Sequence, residues 1–194
     1  MKLTVITLLL CCFMLSGCTT LIVAGAATGA VANQDRRTFP TQLEDSNIEI
    51  KVNSALFKND EIWKDTNIDV ISYNTTVLLV GQAPTATLKS KAEALVKKVQ
   101  KVGKIFNQIR IAAPISFIAK RNDEYLTSKV KSAMLFTKKF PSGKIKVITE
   151  NSEVFLLGIV TESEAEKAVD ISRNVGGVSK VIRLFEMVTE EEIE

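Results

Sequence analysis

Two matching stretches decide the fold of this chain: NIDVISYNTTVLLVG at residues 67–81 and KIKVITENSEVFLLG at residues 144–158. Each carries apolar residues at alternate positions, then a polar turn, then a continuous apolar run that ends in glycine. This pattern predicts two strands joined by a turn, at residues 73–74 in the first stretch and 150–151 in the second. Recurrence of a pattern at a fixed distance indicates a duplicated unit, here of about 70 residues.

The repeat extends on both sides of the predicted strand pairs. Upstream, KVNSAL at residues 51–56 matches KVKSAM at residues 129–134. Downstream, the matched residues are Val99 with Val175, Val102 with Val178, Lys104 with Lys180 and Ile105 with Val181. Insertions and deletions of single residues account for the small drift in offset, so both units are expected to share one fold.

Each unit is expected to fold in the order αββαβ. The first helices are predicted at 42–58 and 122–138, and the last strands at 104–111 and 178–188. The second helix is predicted to begin at Pro84 in one unit and at Thr161 in the other, where Thr161 and Glu164 form a capping-box pattern. We therefore predict an α+β protein of two tandem units, each a three-stranded mixed sheet with two helices on one face.

The two stretches end in Gly81 and Gly158. A glycine inside a strand pattern permits a bulge or a close approach of another backbone segment. Both positions are therefore expected to resist a side chain.

The composition excludes several classes of function. Of 194 residues, 46% are apolar and the net charge is +3, values typical of a globular chain with no overall attraction to nucleic acid. Histidine is absent and no cysteine follows Cys18, so the folded body lacks the residues of most metal sites and thiol nucleophiles. Glu162, Glu164 and Glu166 cluster in the first turns of a predicted helix, where the helix dipole explains them. We therefore expect a non-enzymatic protein with no metal and no cofactor.

The N-terminus has the pattern of an export signal. A basic residue precedes an apolar run over residues 3–15, which is shorter than the roughly 20 residues that span a bilayer. The run ends in LSGC at residues 15–18, which resembles the lipobox where bacterial lipoproteins are cleaved and acylated. The resemblance implies a signal peptide at 1–17 and an acylated Cys18, with Thr19 directing the protein to the outer membrane, facing the periplasm. The alternative is a secreted protein in which the cysteine arose by chance.

Composition also divides the rest of the chain. Residues 18–41 are rich in alanine and glycine and are predicted to contain the lipidated cysteine and a flexible tether, with an early helix as the alternative. The two units are assigned to 42–112 and 122–189. A linker is assigned to 113–121 and an acidic tail to 190–194.

The first helix of the second unit is predicted to present two apolar stripes. At about 100° per residue, the side that packs on the core contains Leu126, Val130, Ala133, Met134 and Thr137. A second side contains Tyr125, Ser128, Ser132, Leu135 and Phe136, flanked by Lys129, Lys131 and Lys139. Large apolar side chains rimmed by lysine suit an anionic membrane surface. Alternatively, Leu135 and Phe136 close the core at the helix end and only Tyr125 is exposed.

The two first helices are duplicates that differ in charge. Residues 42–65 contain six acidic and three basic residues, whereas residues 120–144 contain seven basic and two acidic residues. A basic residue near an anionic membrane contributes about 1 kcal/mol to binding. The second unit is therefore biased toward such a membrane, and the first is biased against it.

The duplicated unit behind a lipobox resembles the dual BON-domain lipoproteins of the bacterial outer membrane. The similarity lies in EIKVNSAL at 49–56, VLLVGQ at 77–82, NQIR at 107–110, TEN at 149–151, EVFLLG at 153–158 and VTE at 160–162. The resemblance implies that the protein maintains the outer-membrane barrier and is recruited to the division site. It further implies that the first helix of the second BON domain inserts into anionic phospholipid, of the phosphatidylglycerol or cardiolipin type. By the same resemblance, the insertion positions are expected to fall on Tyr125 and Leu135.

Two functions agree with these observations. In the first, the protein is a lipid-anchored module that binds anionic phospholipid through Tyr125, Ser128, Lys129, Lys131, Ser132, Leu135, Phe136 and Lys139. In the second, it is an adaptor that binds envelope proteins, such as the outer-membrane assembly machinery, through the same helix or an exposed sheet edge. Neither function involves nucleic acid.

Overall fold

The computed structural model describes residues 35–192, and the predicted signal peptide, Cys18 and the tether up to residue 34 lie outside these residues. The first unit contains α1 (Phe39–Phe57), α2 (Asp60–Asp65), β1 (Asn67–Tyr73), β2 (Thr76–Ala83), α3 (Ala86–Val96), β3 (Ile105–Asn107) and β4 (Arg110–Ile111). The second contains α4 (Phe117–Phe136), a 3₁₀ turn (Ser142–Lys144), β5 (Lys146–Glu150), β6 (Glu153–Val160), α5 (Glu162–Arg173) and β7 (Lys180–Met187). A 3₁₀ turn at Glu190–Glu192 ends the described chain. The predicted α+β fold of two tandem αββαβ units is confirmed.

The two sheets are built in the same mixed order. In the first, β1 runs antiparallel to β2, and both β3 and β4 run parallel to β2. In the second, β5 runs antiparallel to β6, and β7 runs parallel to β6. The prediction of one continuous strand at 104–111 is wrong, because the side chain of Asn107 accepts the backbone N–H of Ile109 at 3.3 Å and interrupts the ladder.

Each central strand is buried on both of its faces. On β2, Val77 and Leu79 pack beneath the helices of their own unit, whereas Leu78 and Val80 face the other sheet. The corresponding inward run of β6 contributes Phe155 to the same apolar layer between the sheets. A strand that is buried on both faces has a continuous apolar run instead of an alternating one. This explains the runs VLLV and VFLL, and it places the units in four layers: helices, sheet, sheet, helices.

Polar contacts lie at the edges of the interface between the two sheets, which we call the seam. Arg110 pairs with Glu153 at 2.9 Å. Lys146 of the second unit lies 3.3 Å from Glu49 on α1 and also donates to the carbonyl oxygen of Ser72 at 3.2 Å. Together with the apolar layer, these contacts join the two units into one body.

A buried aspartate on each first helix holds the turn of its own strand pair. Asn74 and Thr75 have φ angles of +48° and +62°, the left-handed geometry of a type I′ hairpin. Asp45, which is 3% exposed, accepts both of their backbone N–H groups at 2.8 Å. Asp123 accepts the N–H groups of residues 151–152 in the same way, at 2.7 and 2.8 Å. Helix and hairpin are thereby fixed to each other in both units.

The first helices begin earlier than predicted. Thr38 and Ser116 accept backbone N–H groups of the first turn with their side chains, and therefore set the starts at Phe39 and Phe117. As a result, α4 begins inside the segment 113–121 that was predicted to be a linker.

Other predicted bounds shift by one or two residues. The hairpin turns lie one residue beyond the predicted 73–74 and 150–151. Helix α3 begins after Thr85 instead of at Pro84, because Thr85 caps it with its side chain. The capping box at Thr161 is confirmed, and α2 was not predicted.

The end of the predicted tether is held against the body. Arg36 donates to the carbonyl oxygen of Ile159 at 2.9 Å and pairs with Glu164 at 2.6 Å. Burial raises the pKa of Glu164, but hydrogen bonds from Lys144 and Arg36 outweigh burial and leave that pKa below its ordinary value. The prediction of a flexible tether is therefore wrong for residues 35–41, whose last members also belong to α1.

Arg37 makes the same kind of attachment to the first unit. Its guanidinium lies 3.9 Å from the ring centroid of Tyr73 and pairs with Asp45 at 2.9 Å and with Asp35 at 2.7 Å. Burial and the neighbouring charge of Asp35 raise the pKa of Tyr73 to about 12. Arg36 and Arg37 thus attach consecutive residues to different units.

A buried amide and carboxyl meet at the seam. Gln82 donates its side-chain N–H to Glu150 and accepts the backbone N–H of Ile115 at 3.1 Å. Burial raises the pKa of Glu150, as do the charges of Asp123 and Asp69, against the opposing effect of the hydrogen bond from Gln82. The native state therefore binds a proton at Glu150 more tightly than the unfolded state does.

Valine at Gly81 or Gly158 is expected to destabilise the protein by on the order of 3 kcal/mol. Gly81 has a φ of +111°, and a Cβ there would lie 2.0 Å from the carbonyl oxygen of Asn67. A Cβ at Gly158 would lie 2.5 Å from the carbonyl oxygen of Lys144. Gly176→Val is the matched control, because a Cβ there meets nothing within 4 Å. Urea unfolding should rank the variants in this way, and equal midpoints would contradict the explanation.

Glu150→Gln is expected to raise the melting temperature at neutral pH. Because the folded-state pKa of Glu150 is raised, its contribution to stability is present below the unfolded pKa and is lost as pH rises through the folded pKa. Glutamine keeps the acceptor for Gln82 and removes the buried charge. Thermal melts of both proteins should therefore differ at pH 7 and converge near pH 4, whereas a constant difference would contradict this origin.

Candidate functional site

Helix α4 forms the outer surface of the second unit. The side of α4 that faces the sheet is buried in the core, since Leu126, Val130 and Met134 are 2%, 0% and 1% exposed. Phe140, which follows the helix, is 7% exposed and closes the same core from beyond its end. The core of the unit is thus complete without the second apolar stripe.

The second stripe lies in solvent. Tyr125, Leu135 and Phe136 are 64%, 54% and 81% exposed. The alternative prediction, in which Leu135 and Phe136 close the core, is therefore wrong, because Phe140 occupies that position. An exposed apolar face on a helix whose other face is already buried is typical of a surface that binds an external partner.

The stripe continues into a part of the helix that was predicted to be a linker. Phe117 and Ile118 are 73% and 80% exposed. Positions seven residues apart share a helix face, so Ile118 lies in line with Tyr125. The exposed face therefore runs along all 20 residues of α4, about 30 Å at 1.5 Å per residue. The seven-residue spacing of Ile118 and Tyr125 could have shown in the sequence that the exposed face begins this early, but residues 113–121 were assigned to a linker.

The lysines around the stripe fall into two groups. Lys129 donates to the carbonyl oxygen of Gly176 at 2.6 Å, and its ammonium lies 5.6 Å from the ring centroid of Tyr125. Lys131, Lys138 and Lys139 make no ion pair with any residue between 35 and 192. Their charges are thus available to a partner outside the described chain.

Two shallow grooves flank the helix and bring the predicted residues together. One, of about 420 Å³, is lined by Tyr125, Ser128, Lys129 and Ser132, with Ala133, Val175 and Gly176. The other, of about 300 Å³, is lined by Lys131 and Leu135, with Met134, Ser142, Gly143 and Ile145. Phe136 and Lys139 are exposed beside these grooves, at the end of the helix. All eight predicted residues therefore belong to one continuous surface.

The described residues contain neither a metal cluster nor a membrane-spanning helix. Between residues 35 and 192, no group of three or more histidine, cysteine, aspartate or glutamate side chains is placed to hold a metal ion. In the same range, no helix combines the length and apolar character that crossing a membrane requires.

Comparison with known proteins identifies the repeated unit. The BON domain profile matches residues 44–113 and again residues 122–189. These two matches cover most of the chain and coincide with the two units of the structure.

Similar proteins come from several bacteria. The chain is 40% identical to Outer membrane lipoprotein DolP of Haemophilus influenzae over 171 residues, which cover 88% of this chain and 89% of that protein. It is 36% identical to a 21 kDa hemolysin of Actinobacillus pleuropneumoniae over 79% of each chain. It is 30% identical to Osmotically-inducible protein Y of Escherichia coli over 72% of this chain and 70% of that one.

Substitutions on the stripe are expected to leave stability nearly unchanged. Leu135→Glu and Phe136→Glu replace exposed side chains, so the free energy of unfolding should change by less than about 0.5 kcal/mol. Met134→Ala, one position away but buried, should cost about 2–5 kcal/mol. Urea unfolding of the three variants checks this, and a large loss at Leu135 would mean that the stripe supports the core.

Proposed function

This chain belongs to the BON domain family, and on that premise we propose that it is an outer-membrane lipoprotein that docks on anionic phospholipid along α4. Acylation of Cys18 would anchor it, and the exposed face of α4 would lie along the membrane surface. The similarity to an outer membrane lipoprotein supports the location. Its role would be to support the integrity of the outer membrane, with recruitment to the division site.

One observation carries the proposal: the exposed stripe of α4 is apolar at its centre and basic at its margins. Tyr125, Leu135 and Phe136 supply apolar and amphipathic area, while Lys131 and Lys139 supply charge that no described residue neutralises. An amphipathic helix of this kind binds in the plane of a membrane interface, with buried apolar area and attraction to anionic lipids adding together. Its length favours a helix that lies flat over one that inserts by its tip.

Vesicle binding tests the proposal on residues 19–194, which lack Cys18 and therefore cannot attach through a lipid anchor. We expect it to bind phosphatidylglycerol vesicles and to bind phosphatidylcholine vesicles weakly. Tyr125→Glu or Leu135→Glu should reduce binding at least tenfold, because each places a carboxylate in the interface and repels an anionic surface. Co-sedimentation at several lipid concentrations measures the effect.

Charge and position provide the controls. Lys131→Glu with Lys139→Glu should weaken binding and reduce its salt dependence, since salt screens the attraction that these lysines supply. The matched changes in the first unit, Asn47→Glu and Phe57→Glu, should leave binding unchanged. If folded Tyr125→Glu and Leu135→Glu variants bind as tightly as the parent, the membrane proposal is wrong and the adaptor function takes its place.

A further inference from the structure

The first unit carries an exposed aromatic patch that the membrane proposal does not use. Phe57 at the end of α1 and Trp63 on α2 are 57% and 60% exposed, with ring centroids 4.7 Å apart in an edge-to-face arrangement. Beside them lies a groove of about 390 Å³ with buried Leu56 and Ile62 in its lining and the start of β1 along one wall. We call this feature the aromatic groove. It provides an apolar floor and open ring faces for one further side chain.

The rim of the aromatic groove is acidic. Helix α2, with the sequence DEIWKD, contributes three carboxylates and one lysine beside the groove. Asp69 of β1 belongs to the lining itself and pairs with Lys120 of α4 at 3.4 Å. Asp65 makes no ion pair within residues 35–192, and the partners of Asp60 and Glu61 are exposed lysines, whose pairing is weak in water. A cationic side chain that approaches Trp63 would meet both these carboxylates and an aromatic face.

The corresponding region of the second unit, at the end of α4 and in the residues that follow it, has the opposite charge. We call this region of each unit its corner. The register that pairs Val52 with Val130 also pairs Ile62 with Phe140, and both of these side chains are buried, at 2% and 7% exposure. In that register, the acidic pair at 60–61 falls on the basic pair at 138–139. Phe57 likewise falls on Leu135, and both are exposed. Duplication has thus kept an exposed apolar corner in both units while reversing the charge around it.

The two corners belong to different outer layers of the molecule. Helix α1 covers one sheet, α4 covers the other, and the two sheets lie between them. Because stacked sheets are about 10 Å apart, with a layer of helix beyond each, a flat surface against α4 does not also cover the layer of α1. The rings of Phe57 and Trp63 therefore remain accessible when α4 is in contact with a planar partner, whereas Asp69 at the far wall of the groove lies beside Lys120 of α4.

We propose that the aromatic groove binds a basic, apolar peptide segment of a partner protein. An aliphatic or aromatic side chain of that segment fills the groove against Phe57 and Ile62, and a neighbouring lysine or arginine faces Trp63 and the acidic rim. The groove is assigned from its own geometry and charge. Only the simultaneous occupation of both outer layers rests on the proposed membrane function.

Trp63 supplies a direct readout, because it is the only tryptophan in the sequence. The probe is a synthetic 12-residue peptide of lysine alternating with leucine or phenylalanine, added to the chain of residues 19–194. We expect a saturable change in tryptophan emission. Two control peptides, with glutamate in place of lysine or serine in place of the apolar residues, should bind at least tenfold more weakly.

Variants of the groove residues test whether the peptide binds in the aromatic groove. With a fluorescently labelled peptide, Trp63→Ala, Phe57→Ala and the double change Asp60→Lys with Glu61→Lys should each weaken binding at least tenfold. Phe136→Ala, which removes an exposed ring from the second unit, should have no effect. Binding of the parent peptide at parental affinity to the first three variants, with their folds intact, would overturn the proposal.

Two further outcomes would also overturn it. If Trp63→Ala weakens vesicle binding as much as Leu135→Glu does, the groove is part of the membrane-contacting surface. If the chain self-associates, and either Trp63→Ala or Lys138→Glu abolishes that association in sedimentation velocity, the occupant is a second copy of this chain. In neither case would a separate partner protein be the explanation of the groove.

Discussion

The packing of the two sheets against each other is the constraint on which the rest of the structure depends. A three-stranded sheet with helices on one face leaves its other face apolar, and here each unit covers that face for the other. Leu78 and Val80 meet Phe155 and Leu157 in a layer from which water is excluded. Because burial of apolar area is the main source of folding free energy, the position of one unit on the other follows from this layer. So do the outward directions of α1 and α4.

The sequence predicted what is local and missed what is distant. Strand pairs, hairpin turns and the order of elements follow from local patterns, and the close contacts at Gly81 and Gly158 follow from a glycine inside a strand pattern. The run VLLV predicted a strand, but a local pattern cannot identify what covers its second face. The contacts of Arg36 with Ile159 and Glu164 join residues 123 and 128 positions apart. Such pairs leave no recognisable pattern in a single sequence and are seen only in the structure.

The candidate site shows the same division. Exposure of Tyr125 follows from helical spacing, whereas the exposure of Leu135 and Phe136 depended on whether another side chain closes the core. Phe140, outside the helix, settles that question in the structure. Phe117 was missed because helix starts are set by caps, and a single serine at position 116 moves the boundary. The reversal of charge between the duplicates was visible in the sequence from the outset.

The attachment of Arg36 and Arg37 has a mechanical consequence. Any pull on the chain ahead of Asp35 is carried first by Arg36, bound to the second unit, and by Arg37, bound to the first. The force therefore enters at the seam and divides between both halves, instead of peeling α1 away from its own sheet. Ion pairs and a ring contact must break before any core residue moves. Under such a load the two units therefore move together as one body.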